Sequence, residues 1–233
     1  MVEAKRIGLL LPSSNTTMEP ELYRMAPTNV TIHTARMMLK QVTAEGLEQM
    51  ADDAAEASAM LGTAKVDILI YGCTSGSLIK GKEWEAKLIS DLSKATGIPT
   101  NSTGGAVVEA LRALDIKHVG LATPYIDEIN WLEKKFLEEY RIEVTAMKGL
   151  GIVDNNRISM IDANRVRALA KEVSYDVEGV FISCTNLPVV ELIEDLEIEL
   201  NVPVVTSNQA SIWSALRTLS MKGKKGYGNL MNL

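Results

Sequence analysis

Ile68-Leu-Ile-Tyr-Gly-Cys-Thr-Ser-Gly-Ser77 and Val180-Phe-Ile-Ser-Cys-Thr-Asn-Leu-Pro188 follow one pattern. In each, a short apolar run ends in a small residue, and a cysteine is then followed by threonine. Cys73 and Cys184 are the two cysteines of the chain. A short apolar run without a polar face reads as a strand buried on both sides, as parallel sheets require. Each cysteine is therefore expected just past the C-terminal end of such a strand, with a helix N-terminus following.

The repetition extends on either side. Lys5-Arg-Ile-Gly-Leu-Leu10 returns as Lys117-His-Val-Gly-Leu-Ala122, 112 residues later by its glycines. The cysteines stand 111 residues apart, Ile98-Pro-Thr100 and Val202-Pro-Val204 are 104 apart, and Ala110-Leu-Arg112 and Ala215-Leu-Arg217 are 105 apart. Matches in one order at a nearly constant offset identify an internal duplication. Between the strands run helical patterns. One carries Leu47, Met50, Ala54, Ala57 and Leu61 after an N-cap at Thr43, with Gly62 as its stop; another carries Leu88, Ile89, Leu92 and Ala95, closed by Gly97. Strands alternating with helices give an α/β fold of two pseudo-symmetric, flavodoxin-like lobes with parallel sheets. Ligands in such sheets bind beyond the carboxyl ends of the strands. A two-fold relation makes those ends face each other, so the active site is expected in the cleft between the lobes.

Composition narrows the partners. The 233 residues are 46% hydrophobic and 23% charged, enough for a sizeable core in one large or two small domains. A net charge of -6 argues against nucleic acid or an anionic membrane, because no basic surplus exists to neutralise phosphates. Lys222, Lys224 and Lys225 read as a solvated tail. Ile7–Leu11 is too short for a signal sequence and Pro12 stops it, so the expected location is cytoplasmic. Two cysteines in such a chain are rarely a structural disulfide, and two histidines supply a metal site poorly. No cofactor or metal is expected. The glycine-containing turns after Gly72 and Thr103 match no nucleotide fingerprint.

A free thiol is largely protonated at neutral pH, and a helix N-terminus helps its thiolate. Two thiols on opposite sides of one carbon chain can divide the labour: one attacks or takes a proton, and the other gives one. Asn, Thr and Ser side chains around them suit carboxylate oxygens. Neither His33 nor His118 falls in the motifs, so a Cys-His hydrolase is not supported.

Pro12-Ser-Ser-Asn-Thr-Thr-Met-Glu-Pro20, Gly72-Cys-Thr-Ser-Gly76 and Ser183-Cys-Thr-Asn186, in this order, resemble maleate cis-trans isomerase, a branch of the aspartate/glutamate racemase superfamily that also contains arylmalonate decarboxylase. The resemblance covers essentially the whole chain. It implies conversion of maleate to fumarate through a succinyl-cysteine intermediate, with Cys73 as nucleophile and Cys184 as proton donor and acceptor. The decarboxylase keeps only the second cysteine, so Cys73 speaks against that activity. Asn15, Thr74, Ser75, Tyr125, Thr185 and Asn186 would hold the substrate carboxylates. Asn155 is the choice for a further asparagine, with Asn156 beside it as the competitor. Glu19 and Glu21 read as first-turn charges of a helix. Residues 150–161 are the candidate lid. The alternatives are a two-cysteine amino-acid racemase and, outside enzymes, a small-carboxylate-binding module. Relatives of this kind imply a homodimer or larger homo-oligomer, and lobe limits of 1–103 with 209–233 for the first and 104–208 for the second.

Overall fold

The structure is a computed structural model that describes residues 4–233. In chain order the elements are β1 (Lys5–Pro12), α1 (Met18–Met25), β2 (Val30–Met37), α2 (Ala44–Asp52), α3 (Ala54–Thr63), β3 (Ile68–Tyr71), α4 (Thr74–Leu78), α5 (Lys82–Thr96), β4 (Thr100–Ser102) and α6 (Thr103–Ala113). There follow β5 (His118–Thr123), α7 (Asp127–Glu139), β6 (Glu143–Gly149), α8 (Asn155–Ile158), α9 (Ala163–Glu172), β7 (Gly179–Ile182), α10 (Ile193–Leu200), β8 (Val204–Thr206) and α11 (Ser207–Thr218).

Two four-stranded sheets result, β2-β1-β3-β4 and β6-β5-β7-β8, and every neighbouring pair is parallel. Both have the same strand order, which is the expected duplication. The central strands are apolar throughout because helices cover both faces: Ile68 to Tyr71 and Val180 to Ile182 are all buried. The repeated glycines of β1 and β5 have a packing cause. A Cβ on Gly8 would lie 2.7 Å from Leu69 Cδ2, and one on Gly120 would lie 2.0 Å from the carbonyl oxygen of Val173. α11 lies against α6, α1 and the ends of β3 and β4, so the last helix leans on the first sheet.

Four local expectations shift. The helix from Thr43 breaks at Asp53 into α2 and α3, and the chain leaves α3 through Lys65 at a φ of 51° rather than at Gly62. Thr43 does cap α2, its Oγ1 accepting from Gly46 N at 3.2 Å. The strand read at Ile98–Thr100 begins two residues later, since Pro99 has no N–H to give the ladder; its carbonyl accepts from Leu69 N instead. The helix expected after Cys184 does not form. Pro188 disfavours helical backbone at Leu187, and the chain makes a turn closed by Leu187 N donating to Cys184 O at 3.2 Å.

Candidate active site

The carboxyl ends of the two sheets meet. Cys73 and Cys184 line one small cavity with Pro12, Asn15, Leu39, Val42, Ser75, Tyr125, Asn155 and Thr185. Its volume is about 10 Å³, about the least that holds a single water. Seven of the nine expected residues therefore come together on its wall. Thr74 and Asn186 stand behind it. Thr74 Oγ1 donates to Ser207 Oγ at 2.8 Å, and that same oxygen accepts from Cys184 N at 3.0 Å. Asn186 donates to Asn155 O at 2.8 Å and accepts from Thr16 N at 2.9 Å. Both side chains bind one cysteine motif to the other lobe.

The two thiols sit differently. Cys73 is the N-cap of α4, with extended backbone, and its Sγ accepts from Gly76 N at 3.3 Å and lies 3.8 Å from Ser75 Oγ. Cys184 has a φ of 108°, a conformation side chains seldom adopt, and its Sγ accepts from Asn186 N at 3.4 Å. Burial pushes the Cys73 thiol up to about 11, although the Gly76 amide and Ser75 hydroxyl pull downward. Burial likewise pushes Cys184 up to about 12, against the pull of the Tyr125 hydroxyl and the Asn186 amide. In the closed site both thiols are protonated at neutral pH. Desolvation outweighs the helix start that the sequence offers Cys73.

Asn15 does two things. Its Oδ1 accepts from Thr17 N and Met18 N, both at 3.0 Å, which opens α1; its Nδ2 donates to Thr185 Oγ1 at 3.0 Å across the cleft. Asn155, not Asn156, faces inward: Asn155 is buried and donates to Ser14 Oγ at 2.9 Å, whereas Asn156 is exposed. Tyr125 is buried, and the same burial pushes its phenol far up.

The roof is built from both lobes. The segment before α2 brings Leu39 and Val42, the start of α8 brings Asn155, and Val42 N donates to Val153 O at 3.0 Å. Of the segment 150–161, Asn155 reaches the cavity wall and Val153 joins it to the segment before α2. Residues 38–42, opposite, have no periodicity or motif that marks them in the sequence.

Three further residues escaped the motif reading. Arg36, exposed at the end of β2, donates to the carbonyls of Ser13 and Asn15 at 3.1 and 2.7 Å and so braces the Asn15 loop from outside. Glu21 is not a surface charge of the first turn. It is buried, and its carboxylate accepts from Val189 N, Val190 N and Asn208 Nδ2 at 2.9, 3.1 and 2.7 Å. Asn208 in turn donates to Thr185 O at 3.1 Å, so Glu21 holds the Cys184 loop to α11. Glu19 matches its reading better, half-exposed and 3.5 Å from Arg36. Glu133 is the third, fully buried on α7 and accepting from Ser183 Oγ at 2.6 Å. Its spacing with Ile129, Phe136 and Leu137 on the inner helix face was the available signal.

Among the described residues no three His, Cys, Asp or Glu side chains are grouped to hold a metal ion, and no helix is long and apolar enough to cross a membrane.

Comparison with known proteins places these features in context. A family model described as arylmalonate decarboxylase matches residues 7–231. Maleate isomerase of Nocardia farcinica is 30% identical, over 93% of this chain and 91% of its own. Arylmalonate decarboxylase of Bordetella bronchiseptica is 29% identical, over 97% and 96%. The maleate isomerase structure from Pseudomonas putida S16 with maleate is similar at a TM-score of 0.95 and 27% identity, covering 98% of both chains. A cysteine-to-serine mutant of the Nocardia farcinica maleate cis-trans isomerase, with a covalently bound succinylcysteine intermediate, is similar at 0.92 and 28%, again over 98% of both.

Proposed function

Since this chain belongs to the family that holds arylmalonate decarboxylase and the maleate isomerases, we propose that it is a cofactor-independent isomerase converting maleate to fumarate. One observation carries the reading: two thiols, one beyond each sheet, border one small cavity whose polar wall groups are all neutral. A covalent succinylcysteine in a relative of the same fold supports the intermediate.

Cys73 loses its proton while the roof is open and water reaches the sulfur. Its thiolate adds to one alkene carbon. The π electrons move to the neighbouring carbon, which takes the proton of Cys184. The carbon–carbon bond is now single and turns. Cys184, now the thiolate, removes a proton from the same carbon, the electron pair re-forms the double bond, and the carbon–sulfur bond breaks. Asn15, Ser75, Tyr125, Asn155 and Thr185 hold the carboxylates with uncharged donors, which closure of the roof strengthens by excluding water. Thr74 and Asn186 serve through the framework that ties the two motifs together.

An amino-acid racemase needs an acceptor for an α-ammonium group. No carboxylate lines the cavity, and the relatives give that alternative no support. Decarboxylation is the second reading, favoured by the family model, and Cys73 speaks against it. The deciding experiment is proton NMR of maleate with the purified protein, without added cofactor. Fumarate is expected from the native protein and none from Cys73→Ser or Cys184→Ser. Fumarate formation that survives either substitution would sink the two-thiol mechanism. A carboxylate-binding module would leave maleate unchanged and tolerate both substitutions.

A further inference from the structure

Ser14 stands beside Asn15 in the loop after β1. It does not reach the cavity wall, yet its hydroxyl is tied to two residues that do, Leu39 and Asn155. Its Oγ donates to the carbonyl of Leu39 at 2.9 Å and accepts from Asn155 Nδ2 at 2.9 Å. The direction of both bonds is forced. A backbone carbonyl can only accept, so the single hydrogen of Ser14 is spent on Leu39. A lone pair is left toward Asn155, and only the nitrogen end of an amide can meet it. The amide turned end for end would set oxygen against oxygen at hydrogen-bond distance. The backbone at Asn155 is held separately. Its carbonyl accepts from Asn186 Nδ2 at 2.8 Å, and Asp154, the N-cap of α8, accepts from Asn156 N at 3.0 Å. Among the described residues Ser14 is the one hydrogen-bond partner of the Asn155 amide, and the second N–H of that amide remains for a ligand.

We propose that Ser14 is a positioning residue for Asn155: it sets the amide end for end, so that a carboxylate entering the cavity is met by an N–H and not by the carbonyl oxygen. The role toward a substrate rests on the isomerase reading; the setting of the amide does not. Ser14 acts through Asn155 and touches no substrate atom. A carboxylate accepts hydrogen bonds and gives none, so an amide that faces it with oxygen repels it. Freed from Ser14, the side chain has about three staggered wells at its first torsion and about two orientations of the amide, of which packing removes some. The fraction of molecules ready for a carboxylate then falls to between about one half and one sixth, and the apparent dissociation constant rises by the inverse. Once bound, the carboxylate holds the amide itself, so the chemical steps proceed as before.

The test compares Ser14→Ala, which removes the hydroxyl, with Ser14→Thr, which keeps it. Without ligand, the side-chain NH₂ signals of Asn155 are followed by NMR in nitrogen-labelled protein and identified by their loss in Asn155→Ala. Their exchange with water is expected to quicken about tenfold in Ser14→Ala and to keep the native rate in Ser14→Thr. In maleate turnover, Ser14→Ala is expected to raise KM about two- to six-fold while kcat stays within about twofold, and Ser14→Thr to keep the native KM. Asn155→Ala is expected to absorb the effect, so that adding Ser14→Ala to it leaves KM where Asn155→Ala put it. Unchanged exchange in Ser14→Ala would overturn the proposal. So would a KM rise of the same factor with Asn155 already removed, or a fall in kcat alone, since Ser14 would then be acting through Leu39 and the roof. Faster exchange in a protein that leaves maleate untouched would keep the setting of the amide and remove the isomerase reading.

Discussion

Cys184 keeps a side chain at a φ of 108°, where glycine is the comfortable residue. Such strain costs roughly 1–3 kcal/mol, and the extra unfolded-state freedom of glycine costs about 0.4–1 kcal/mol. The first exceeds the second. Cys184→Gly is therefore expected to be inactive yet more stable than Cys184→Ala by about 1 kcal/mol, read from urea midpoints. Glu21 gives the opposite case. Replacing its carboxylate by the amide of Glu21→Gln puts an N–H donor among three donors, two backbone amides and the Asn208 amide. A loss of about 1–3 kcal/mol is expected, with a fall in kcat beyond what the surviving folded fraction explains, because Thr185 loses its anchor through Asn208. The cysteines were legible because short motifs recurred at a fixed offset, and Asn15 because the stretch Pro12–Pro20 resembles a motif of a known family. Glu21 was not, since a carboxylate in the first helical turn is stabilised there even when exposed, and the sequence contains nothing that reveals which backbone will descend on it.

At the scale of elements, α4 is five residues long and is wrapped around its own cap. A Cβ on Gly76 would lie 2.6 Å from Met50 Cε and 3.0 Å from the sulfur of Cys73. Met50 can swing away, whereas Cys73 can give way only by leaving its place. Gly76→Ala is expected to lower kcat at least tenfold, with a drop in stability of about 1–3 kcal/mol, measured by steady-state kinetics beside thermal unfolding. The parallel sheets, the capping of α2 by Thr43 and the end of α5 at Gly97 were all readable from period and punctuation. The break at Asp53 was not, because the apolar spacing continues smoothly across it and only tertiary packing decides where one helix becomes two. The turn after Cys184 was available in Pro188, had the proline been weighed above the analogy between the two repeats.

For the whole molecule, burial of carboxyl groups leaves a signature in stability. Glu133, Glu21, Glu85 and Glu197 are all pushed up by burial, Glu133 to about 8 from an ordinary 4.5. The folded state then binds protons that the unfolded state has released. Stability from these groups is complete below the unfolded value and falls as pH rises through the folded one. Between pH 5 and 8 the unfolding free energy is expected to decline, by up to about 1.4 kcal/mol per pH unit for Glu133 alone, and Glu133→Gln should flatten the slope. Urea titrations at three pH values decide it. The duplication was visible in the sequence, but lobe limits at 1–103 with 209–233 and 104–208 stay a proposal, and residues 1–3 lie outside those described. The roof joined by Val42 and Val153 has one more consequence. If the maleate reaction runs as proposed, a thiol beneath that bond exchanges its hydrogen with water only when the bond opens. In deuterated water the label in recovered maleate and fumarate would then count those openings.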